Sequence, residues 1–309
     1  MNCFKLRFKF QKFRSRSILT LLLGLSLVAT ASGPSVPPLD GNTIKVVQCN
    51  IEDGGQFTNG DSKKVTWDTA KNFANLMASD SLSNTALIGM EEIDAHDTEV
   101  NLILDSITHR TWNAIHYEQG IDGKGSGLAI FYRPDLVALV ENFGTVDVTR
   151  LDNGYIVRFG GALFRRIPTG EVFSFFTGKL AWDDDKIAGH PVNDDDRVAQ
   201  AKILRNFINQ KMVGHKDGSR IITMDMNATF RSKPWATFSQ EFYDGMSDAA
   251  TFDSHYHLWF GKRFDYIWWD LNGTSARNTQ SFVDGPRRST HFGSDHRFVW
   301  AELVLSPSL

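Results

Sequence analysis

The sequence predicts an α/β protein of the α+β type, in which two packed β-sheets are flanked by helices in one domain. Short β-rich runs recur from residue 43 to the end of the chain, and amphipathic helical stretches lie between them. Neighbouring runs at residues 155–164 and 171–177 have hairpin spacing, which favours two sheets over a single doubly wound sheet.

The predicted strands are short runs rich in apolar residues. Several are apolar throughout, which predicts that both of their faces are covered. The runs lie at residues 43–49, 86–90, 127–132, 136–141, 155–164, 171–177, 220–224, 264–269 and 298–305.

Two stretches repeat apolar residues with helical spacing behind acidic residues, whose charge suits a helix N-terminus. Asp97 precedes the first stretch, and three aspartates precede the second, at residues 197–211. Two further helices are predicted to start at Trp67 and Lys233. The apolar positions are Val100, Ile103, Leu104 and Ile107 in the first stretch, and Val198, Ala201, Leu204 and Ile208 in the second.

The composition is that of a globular protein. A chain of 309 residues with 41% hydrophobic and 12% aromatic content excludes a disordered chain, a disulfide-stapled miniprotein and a simple coiled coil. The two cysteines are Cys3, in the N-terminal segment described next, and Cys49. Without that segment, one cysteine remains, which excludes an internal disulfide and a multi-cysteine metal site.

Residues 1–31 have the organisation of a secretory signal peptide. Six basic residues and no acidic residue precede residue 20, an apolar run follows at 18–29, and Ala29-Thr30-Ala31 has the small-x-small form of a cleavage site. The run is shorter than the roughly 20 residues that cross a bilayer as a helix. We therefore expect a secreted or periplasmic protein, with an uncleaved N-terminal anchor as the alternative. Cleavage would leave 27 basic against 36 acidic residues, a net charge of about −9.

Residues 32–41 are predicted to be a linker. The segment contains three prolines, and proline lacks the amide hydrogen that a helix or sheet would use. A single catalytic domain is then expected over residues 42–309.

Acidic and amide residues gather where the apolar strands end. Any one of them is more often a turn former that bonds its own backbone, but together they indicate a site. A carboxylate inside the aromatic run 264–269 is costly unless it is paired or binds a metal. The residues are Asn50, Glu52, Glu91, Glu92, Asp225, Asn227, Asp265, Asp295 and His296.

In order and spacing, these motifs resemble the endonuclease/exonuclease/phosphatase superfamily, which has the fold of pancreatic-type deoxyribonuclease. The match spans about residues 44–303 and implies a four-layer sandwich of two packed β-sheets flanked by helices. The motifs are VVQCNI at 46–51, LIGMEEI at 87–93 (similar to Leu-Gln-Glu-Val), GLAIFYR at 127–133, MDMNA at 224–228 (similar to Gly-Asp-Phe-Asn-Ala), RFDYI at 263–267 and SDHR at 294–297.

The resemblance implies hydrolysis of phosphodiesters or phosphomonoesters with a divalent cation, usually Mg²⁺, with Mn²⁺ or Ca²⁺ as alternatives. Mg²⁺ is a hard ion that prefers carboxylate oxygen and keeps several waters, so one or two carboxylates suffice. By matching position, Glu92 would be a metal ligand, Glu52 a second ligand and Asp295 a further candidate.

The resemblance also implies catalytic roles. Asp225 would orient the attacking water and accept its proton, and Asn227 would donate its amide to the phosphoryl group. His296 would contact the phosphate, while Asp265 would hold the imidazole through its other nitrogen. Asn50 would orient Asp225.

One position departs from the family pattern. The strand at 171–177 should lead into Asn-Thr-His-Leu or its Tyr variant, but this chain has Lys179 in place of the histidine. An ammonium can bind phosphate but is a poor proton donor unless its pKa falls. In the interpretation that we favour, Lys179 replaces the usual histidine as the residue that contacts the phosphate. The alternatives are that His190 fills the role or that activity is impaired.

The resemblance does not select a substrate. A net charge of about −9 provides no broad basic surface for nucleic acid, although a local basic cleft could serve a transient substrate. Four tryptophans could stack on bases, but aromatic strands more often form core. The basic residues are Arg133, Lys179, Arg231, Lys233, Arg287 and Arg288, and the tryptophans are Trp235, Trp259, Trp268 and Trp269.

The leading hypothesis is an exported, magnesium-dependent phosphoesterase that acts as a nuclease, monomeric and without stable membrane association after cleavage. One alternative is a lipid or small-molecule phosphodiesterase or phosphatase, similar to sphingomyelinases. Another is a catalytically silent phosphoester-binding protein.

Overall fold

Two six-stranded mixed β-sheets, each covered by helices on its outer face, form the core of the structure. A computed structural model describes residues 43–51, 62–93, 97–117, 127–183, 185–215, 218–244, 263–270, 281–284, 296 and 298–305, all within the compact unit Val36–Leu309. The predicted signal peptide (1–31) and linker (32–41) lie outside the described residues.

The described residues form four helices and fourteen strands. The helices are α1 (Ser62–Met77), α2 (Asp97–Thr108), α3 (Asp194–Lys211) and α4 (Lys233–Phe238). The strands are β1 (Thr43–Asn50), β2 (Thr85–Glu91), β3 (Asn113–Tyr117), β4 (Leu128–Tyr132), β5 (Val137–Arg150), β6 (Ile156–Arg166), β7 (Val172–Lys179), β8 (Lys186–Ile187), β9 (His190–Pro191), β10 (Ser219–Asp225), β11 (Phe242–Asp244), β12 (Asp265–Asp270), β13 (Ser281–Asp284) and β14 (Phe298–Val304).

The strand order places the motif-bearing strands at the centre of both sheets. The first sheet has the order β13-β14-β1-β2-β4-β3, and the second has the order β11-β12-β10-β7-β6-β5. Each sheet contains one parallel pair, β1 with β2 and β7 with β10. The remaining neighbours are antiparallel, including the predicted hairpin of β6 and β7. Strands β8 and β9 form a separate ribbon.

Alternating side chains on each central strand build three apolar layers. On β1, Val46 points into the layer between the sheets, whereas Val47 packs with Phe73 of α1 on the outer face. Ile222 of β10 lies in the third layer, which α3 covers through Leu204. These layers confirm the predicted sandwich of helices, two sheets and helices.

The two sheets approach each other closely at Gly89 of β2. A Cβ atom there would lie 1.9 Å from Oγ1 of Thr223 and 2.6 Å from Oγ1 of Thr177, both on the second sheet. A residue without a side chain is therefore required where β2 crosses β7 and β10.

All nine predicted strands are present, but several boundaries differ. Strand β5 continues to Arg150, beyond the predicted end at residue 141. The prediction stopped early because many later residues of the strand are exposed and polar, which interrupts the apolar run. Helix α1 begins at Ser62 and not at Trp67. Helix α3 begins at Asp194, so the three aspartates form its first turn, and Asn193 caps it.

The short strands β3, β8, β9, β11 and β13 were not predicted, since none carries a long apolar run. Cys49 is a buried free thiol. Among the described helices, none has the length and apolar character needed to span a bilayer.

Candidate active site

The polar residues meet at one edge because the central strands end together. Asn50 pairs with Glu91 across the parallel strands β1 and β2, and Lys179 pairs with Asp225 across β7 and β10. Strand β12 runs the other way, so its first residue, Asp265, pairs with Asp225. The register within each sheet therefore gathers these side chains at one end of that sheet, and the packing of the two sheets brings the two groups together.

Asn50 joins the two sheets at this edge. Its Nδ2 donates to Oε1 of Glu92 and to Oδ2 of Asp225, both at 3.2 Å. The asparagine is 1% exposed. Buried amide donors of this kind fix the rotamers of both carboxylates, which agrees with the role that the family resemblance implies for Asn50.

Glu92 and Asn227 both have left-handed backbone conformations, with φ of 57° and 47°. Non-glycine residues rarely adopt this region, and such strain persists where the surrounding structure fixes it. In each case the residue lies one or two positions beyond a strand end, where the turn directs it back toward the site.

Lys179 forms an ion pair with Glu92, with Nζ 2.6 Å from Oε1. The ring of Tyr155 lies 5.4 Å from Nζ. Burial alone would lower the pKa of Lys179, but Glu92, Tyr155 and Asp225 outweigh it and raise the pKa well above its ordinary value. Burial alone would raise the pKa of Glu92, but Lys179 lowers it. Both groups therefore stay charged near neutral pH, and Lys179 is a charge partner and not a proton donor.

His190, the alternative to Lys179, has its contacts at the start of helix α3 and not with Glu92 or Asp225. It is exposed in β9, with Nδ1 3.8 Å from Oδ2 of Asp196 at the start of α3. The geometry therefore favours Lys179 over His190 as the residue that replaces the usual histidine.

Asp225 is buried and accepts several hydrogen bonds. Its Oδ1 accepts from the backbone N–H of Asn227 at 2.9 Å, and its Oδ2 accepts from Nδ2 of Asn50 and of Asn227, both at 3.2 Å. Burial is the main cause that raises the pKa of Asp225 to about 7, and nearby Asp265 adds to it, whereas His296 and Lys179 oppose it. A carboxyl that titrates near neutral pH is suited to general-base catalysis.

Asn227 uses its side-chain donors within the protein. Nδ2 donates to the carbonyl of Leu180 at 2.8 Å and to Oδ2 of Asp225 at 3.2 Å. Donation to a phosphoryl group would require one of these bonds to break. In this structure Asn227 orients Asp225, which differs from the role implied by the family.

His296 and Asp265 form a buried pair. Nδ1 of His296 lies 2.9 Å from Oδ2 and 3.1 Å from Oδ1 of Asp265. Since a carboxylate accepts hydrogen bonds, Nδ1 carries the proton, and Nε2 faces Asp225, 4.0 Å from Oδ2.

Among the described residues, Glu92 and a group of three further side chains could each hold a cation. Oε1 of Glu92 accepts both hydrogen bonds made to that carboxylate, from Asn50 and Lys179, and within the described ranges Oε2 accepts none. Oε2 therefore offers the hard oxygen that Mg²⁺ prefers. One ligand atom each from Asp225, Asp265 and His296 also lie within 4.8 Å of one another, which is a second arrangement that could hold a metal. Glu52 and Asp295, the other predicted ligands, lie outside the described residues.

Neither a protein-family model nor a curated protein matches the sequence. Solved structures do match. An endonuclease/exonuclease/phosphatase family protein from Bacteroides thetaiotaomicron is 20% identical, with a TM-score of 0.64, and the match covers 86% of this chain and 98% of that one. The chain has the endonuclease/exonuclease/phosphatase fold.

Two further structures share this fold. A mannosyl-6-phosphatase from Bacteroides thetaiotaomicron is 19% identical, with a TM-score of 0.65, and the match covers 85% of this chain and all 100% of that one. TDP2 from D. rerio, complexed with a single-strand DNA product, is 14% identical, with a TM-score of 0.59 over 84% and 98% of the two chains. The fold predicted from the motifs is thus confirmed, and neighbours with this fold include a phosphatase.

Some residues at the edge of this endonuclease/exonuclease/phosphatase fold were given no catalytic or metal-binding role from the sequence. Glu91 is fully buried, and burial is the main cause that raises its pKa well above the ordinary value. It contacts Gln48 and Thr177, which are also buried. The polar Gln48 within an apolar strand and the doubled Glu91-Glu92 were the available signals in the sequence.

The prediction that Arg133 contributes to a basic cleft at the site is wrong. Its register places it beside Ala86, at the far end of β2 from Glu91, where it pairs with Asp135 and donates to the carbonyl of Ser83. Lys233 pairs with Asp195. Arg287 and Arg288 lie outside the described residues.

The tryptophans within the described residues are largely core. Trp268 and Trp269 are 0% and 7% exposed. Trp235 packs against the outer layer of the second sheet and donates to Asp244. Trp259 lies outside the described residues. Stacking on bases is therefore not supported by Trp268 or Trp269.

Proposed function

We propose that the chain is an exported, divalent-metal-dependent phosphoester hydrolase, with Mg²⁺ as the metal. The observation that carries this proposal is the convergence of Glu92, Lys179, Asp225 and His296 at one sheet edge, joined through Asn50. These residues lie far apart along the chain, and their types supply a metal ligand, a fixed cation, a base and a phosphate contact.

Asp225 is the base in the proposed reaction. Asn50 and Asn227 hold its carboxylate in place, and its raised pKa gives it affinity for a proton taken from water. Water attack on phosphorus forms one P–O bond while the bond to the leaving oxygen breaks, and that oxygen takes a proton from solvent. Charge builds on the phosphoryl oxygens in this step, and the imidazole of His296 lies on the same side of the site as Asp225.

Lys179 and Glu92 provide the charge at the phosphate. Lys179 supplies a permanent positive charge, since its pKa is raised. Glu92 would hold the cation through Oε2, with Glu52 and Asp295 as further candidate ligands, and a bound cation neutralises phosphoryl charge.

Phosphodiester bonds of nucleic acid are the first candidate substrate. One neighbour with this fold was solved with a single-strand DNA product, which supports this substrate class. The export proposal rests on the signal-like residues 1–31.

A phosphomonoester of a small molecule is the second candidate. Glu92 and Asp225 both lie near Lys179 and raise its pKa. Asp185 is a third nearby carboxyl group, since the charges of Lys179 and Glu92 affect its pKa. Within the described part of the site, a fixed cation among carboxylates suits a single phosphate group better than a polyanionic strand. A neighbour with this fold is a mannosyl-6-phosphatase, which supports the same substrate class.

A substrate panel tests these proposals. The purified chain would be assayed on plasmid DNA, RNA, sphingomyelin, bis-p-nitrophenyl phosphate and a sugar 6-phosphate, each with Mg²⁺ and with EDTA. We expect EDTA and Asp225→Asn each to abolish hydrolysis, while Asp80→Asn, at an exposed carboxylate, has no effect. Binding of a phosphoester without hydrolysis in Mg²⁺ or Mn²⁺ would instead indicate a silent binding protein.

A further inference from the structure

Gln48 lies beneath the site, between two carboxyl groups. It is 0% exposed on the inner face of β1. Its Nε2 donates to Oε2 of Glu91 and to Oδ1 of Asp265, both at 2.9 Å. Both side-chain N–H groups of the glutamine are therefore used.

The contacts continue on both sides of Gln48 and connect the two sheets. Oγ1 of Thr177, on β7, donates to Oε1 of Glu91 at 2.8 Å. At the other end, Asp265 holds Nδ1 of His296 at 2.9 Å. A continuous series of side chains thus runs from Thr177 through Glu91, Gln48 and Asp265 to His296.

The orientation of the Gln48 amide follows from its neighbours. If the amide were reversed, Oε1 would face Oδ1 of Asp265 and the hydrogen bond to that carboxylate would be lost. In the present orientation Oε1 is buried, and no group in the described part of the chain forms a hydrogen bond with it. A buried carbonyl oxygen that accepts no hydrogen bond is unfavourable, so packing stability does not explain a glutamine at this position.

An apolar side chain would serve the core at lower cost. Val46, two residues earlier on the same face of β1, fills the layer between the sheets. Gln48 provides an N–H donor to Asp265, which an apolar residue at this position would lack.

We infer that Gln48 is a positioning residue, which fixes the rotamer of Asp265 and, through it, the imidazole of His296. Glu91 and Thr177 in turn hold the Gln48 amide. The inference rests on the proposed phosphoester hydrolysis at this site. Groups that orient a functional histidine from behind are a common device, and their loss reduces activity about 10- to 100-fold.

The test compares Gln48→Met with Val46→Ala, using bis-p-nitrophenyl phosphate and Mg²⁺. Gln48→Met keeps the side-chain length but removes the donor. We expect kcat to fall about 10- to 100-fold with KM changed less than about threefold, since the imidazole and not substrate affinity is disturbed. Val46→Ala should lose stability while kcat stays unchanged.

A second readout does not depend on turnover. The proton on Nδ1 of His296 should give a hydrogen-bonded resonance in the NMR spectrum, which should shift or broaden in Gln48→Met and stay unchanged in Val46→Ala. If Gln48→Met does not fold, Gln48→Asn keeps the amide but is one methylene too short to reach both carboxyl groups.

The outcomes separate the two proposals. An unchanged resonance together with unchanged kcat in Gln48→Met would overturn the positioning role. If Val46→Ala lowers kcat as much as Gln48→Met does, the positioning role is likewise overturned, because loss of packing alone then explains the effect. If the wild-type chain hydrolyses no phosphoester, the proposed function fails, and the NMR comparison still decides whether Gln48 orients His296.

Discussion

The Nζ atom of Lys179 lies 2.6 Å from Oε1 of Glu92, so a fixed ammonium is bound to the carboxylate that the family resemblance assigns to the metal. The two side chains are 12% and 19% exposed. The pair therefore belongs to the floor of the site, where a charge is desolvated but still reachable by a substrate. The ammonium compensates the charge of Glu92 on one oxygen and leaves the other for a ligand.

Replacement of Lys179 should depress turnover strongly. Lys179→Ala removes the positive charge that we propose lies beside the phosphate, and we expect a loss of about 100-fold or more in kcat, as for other transition-state charge partners. Lys179→His, which restores the residue that the family carries, should retain more activity than Lys179→Ala. Steady-state kinetics measure both variants.

Lys233→Ala is the matched control for this prediction. Lys233 is an exposed lysine that pairs with Asp195, and its loss should leave kcat unchanged. If Lys179→Ala keeps wild-type turnover, Lys179 has no part in the site.

The rate of hydrolysis should rise with pH through about 7. Asp225 acts as a base only when ionised, and its pKa is raised to about 7, chiefly by burial. Below that pH, kcat/KM should fall about tenfold per unit, and above it the rate should level off. A pH–rate profile checks this, and a plateau that extends unchanged down to pH 5 would contradict Asp225 as the base.

The same carboxyl should make the stability of the wild type fall relative to that of Asp225→Asn as pH rises from 5 to 8. The folded-state pKa of Asp225 lies above its ordinary value, so the folded protein binds a proton that the unfolded chain has already released. Its contribution to stability is present in full at acidic pH and is lost as pH rises toward about 7. Urea unfolding at pH 5 and pH 8 should therefore show the difference in free energy of unfolding shifting in favour of Asp225→Asn at pH 8, and a difference that does not change with pH would contradict the raised pKa.

The sequence predicted the sandwich because its central strands are long apolar runs with a fixed order. Strands such as β1, β2 and β10 carry buried residues on both faces, which gives a continuous signal. Strand β3 is half exposed, and β11 and β13 have only three and four residues, so pairing with a longer neighbour determines them.

The site likewise combines features that local sequence motifs predict with features that only tertiary packing determines. Asp225, Asp265 and His296 follow recognisable motifs, and the register of β10 with β12 brings the two aspartates together. The contact between Gln48 and Asp265 joins residues 217 positions apart in sequence. It depends on how the two sheets pack, and the strand pattern does not encode that.

Gly89→Ala should destabilise the fold at the place where the sheets meet. The new methyl group would lie 1.9 Å from Oγ1 of Thr223 and 2.6 Å from Oγ1 of Thr177, so the sheets must separate or the threonines must change rotamer. Overpacking of this kind costs about 1–3 kcal/mol in the free energy of unfolding. Gly214→Ala, at a glycine with nothing within 4 Å of the added atom, should be close to neutral.

Thr223→Ala provides the second half of this test. It removes the closest clashing atom, so Gly89→Ala combined with Thr223→Ala should be less destabilised than the sum of the two single variants. Urea denaturation of the four proteins measures the coupling. Strict additivity would show that the sheets do not meet at this glycine, and the site that depends on their contact, from Thr177 to His296, would lose its structural basis.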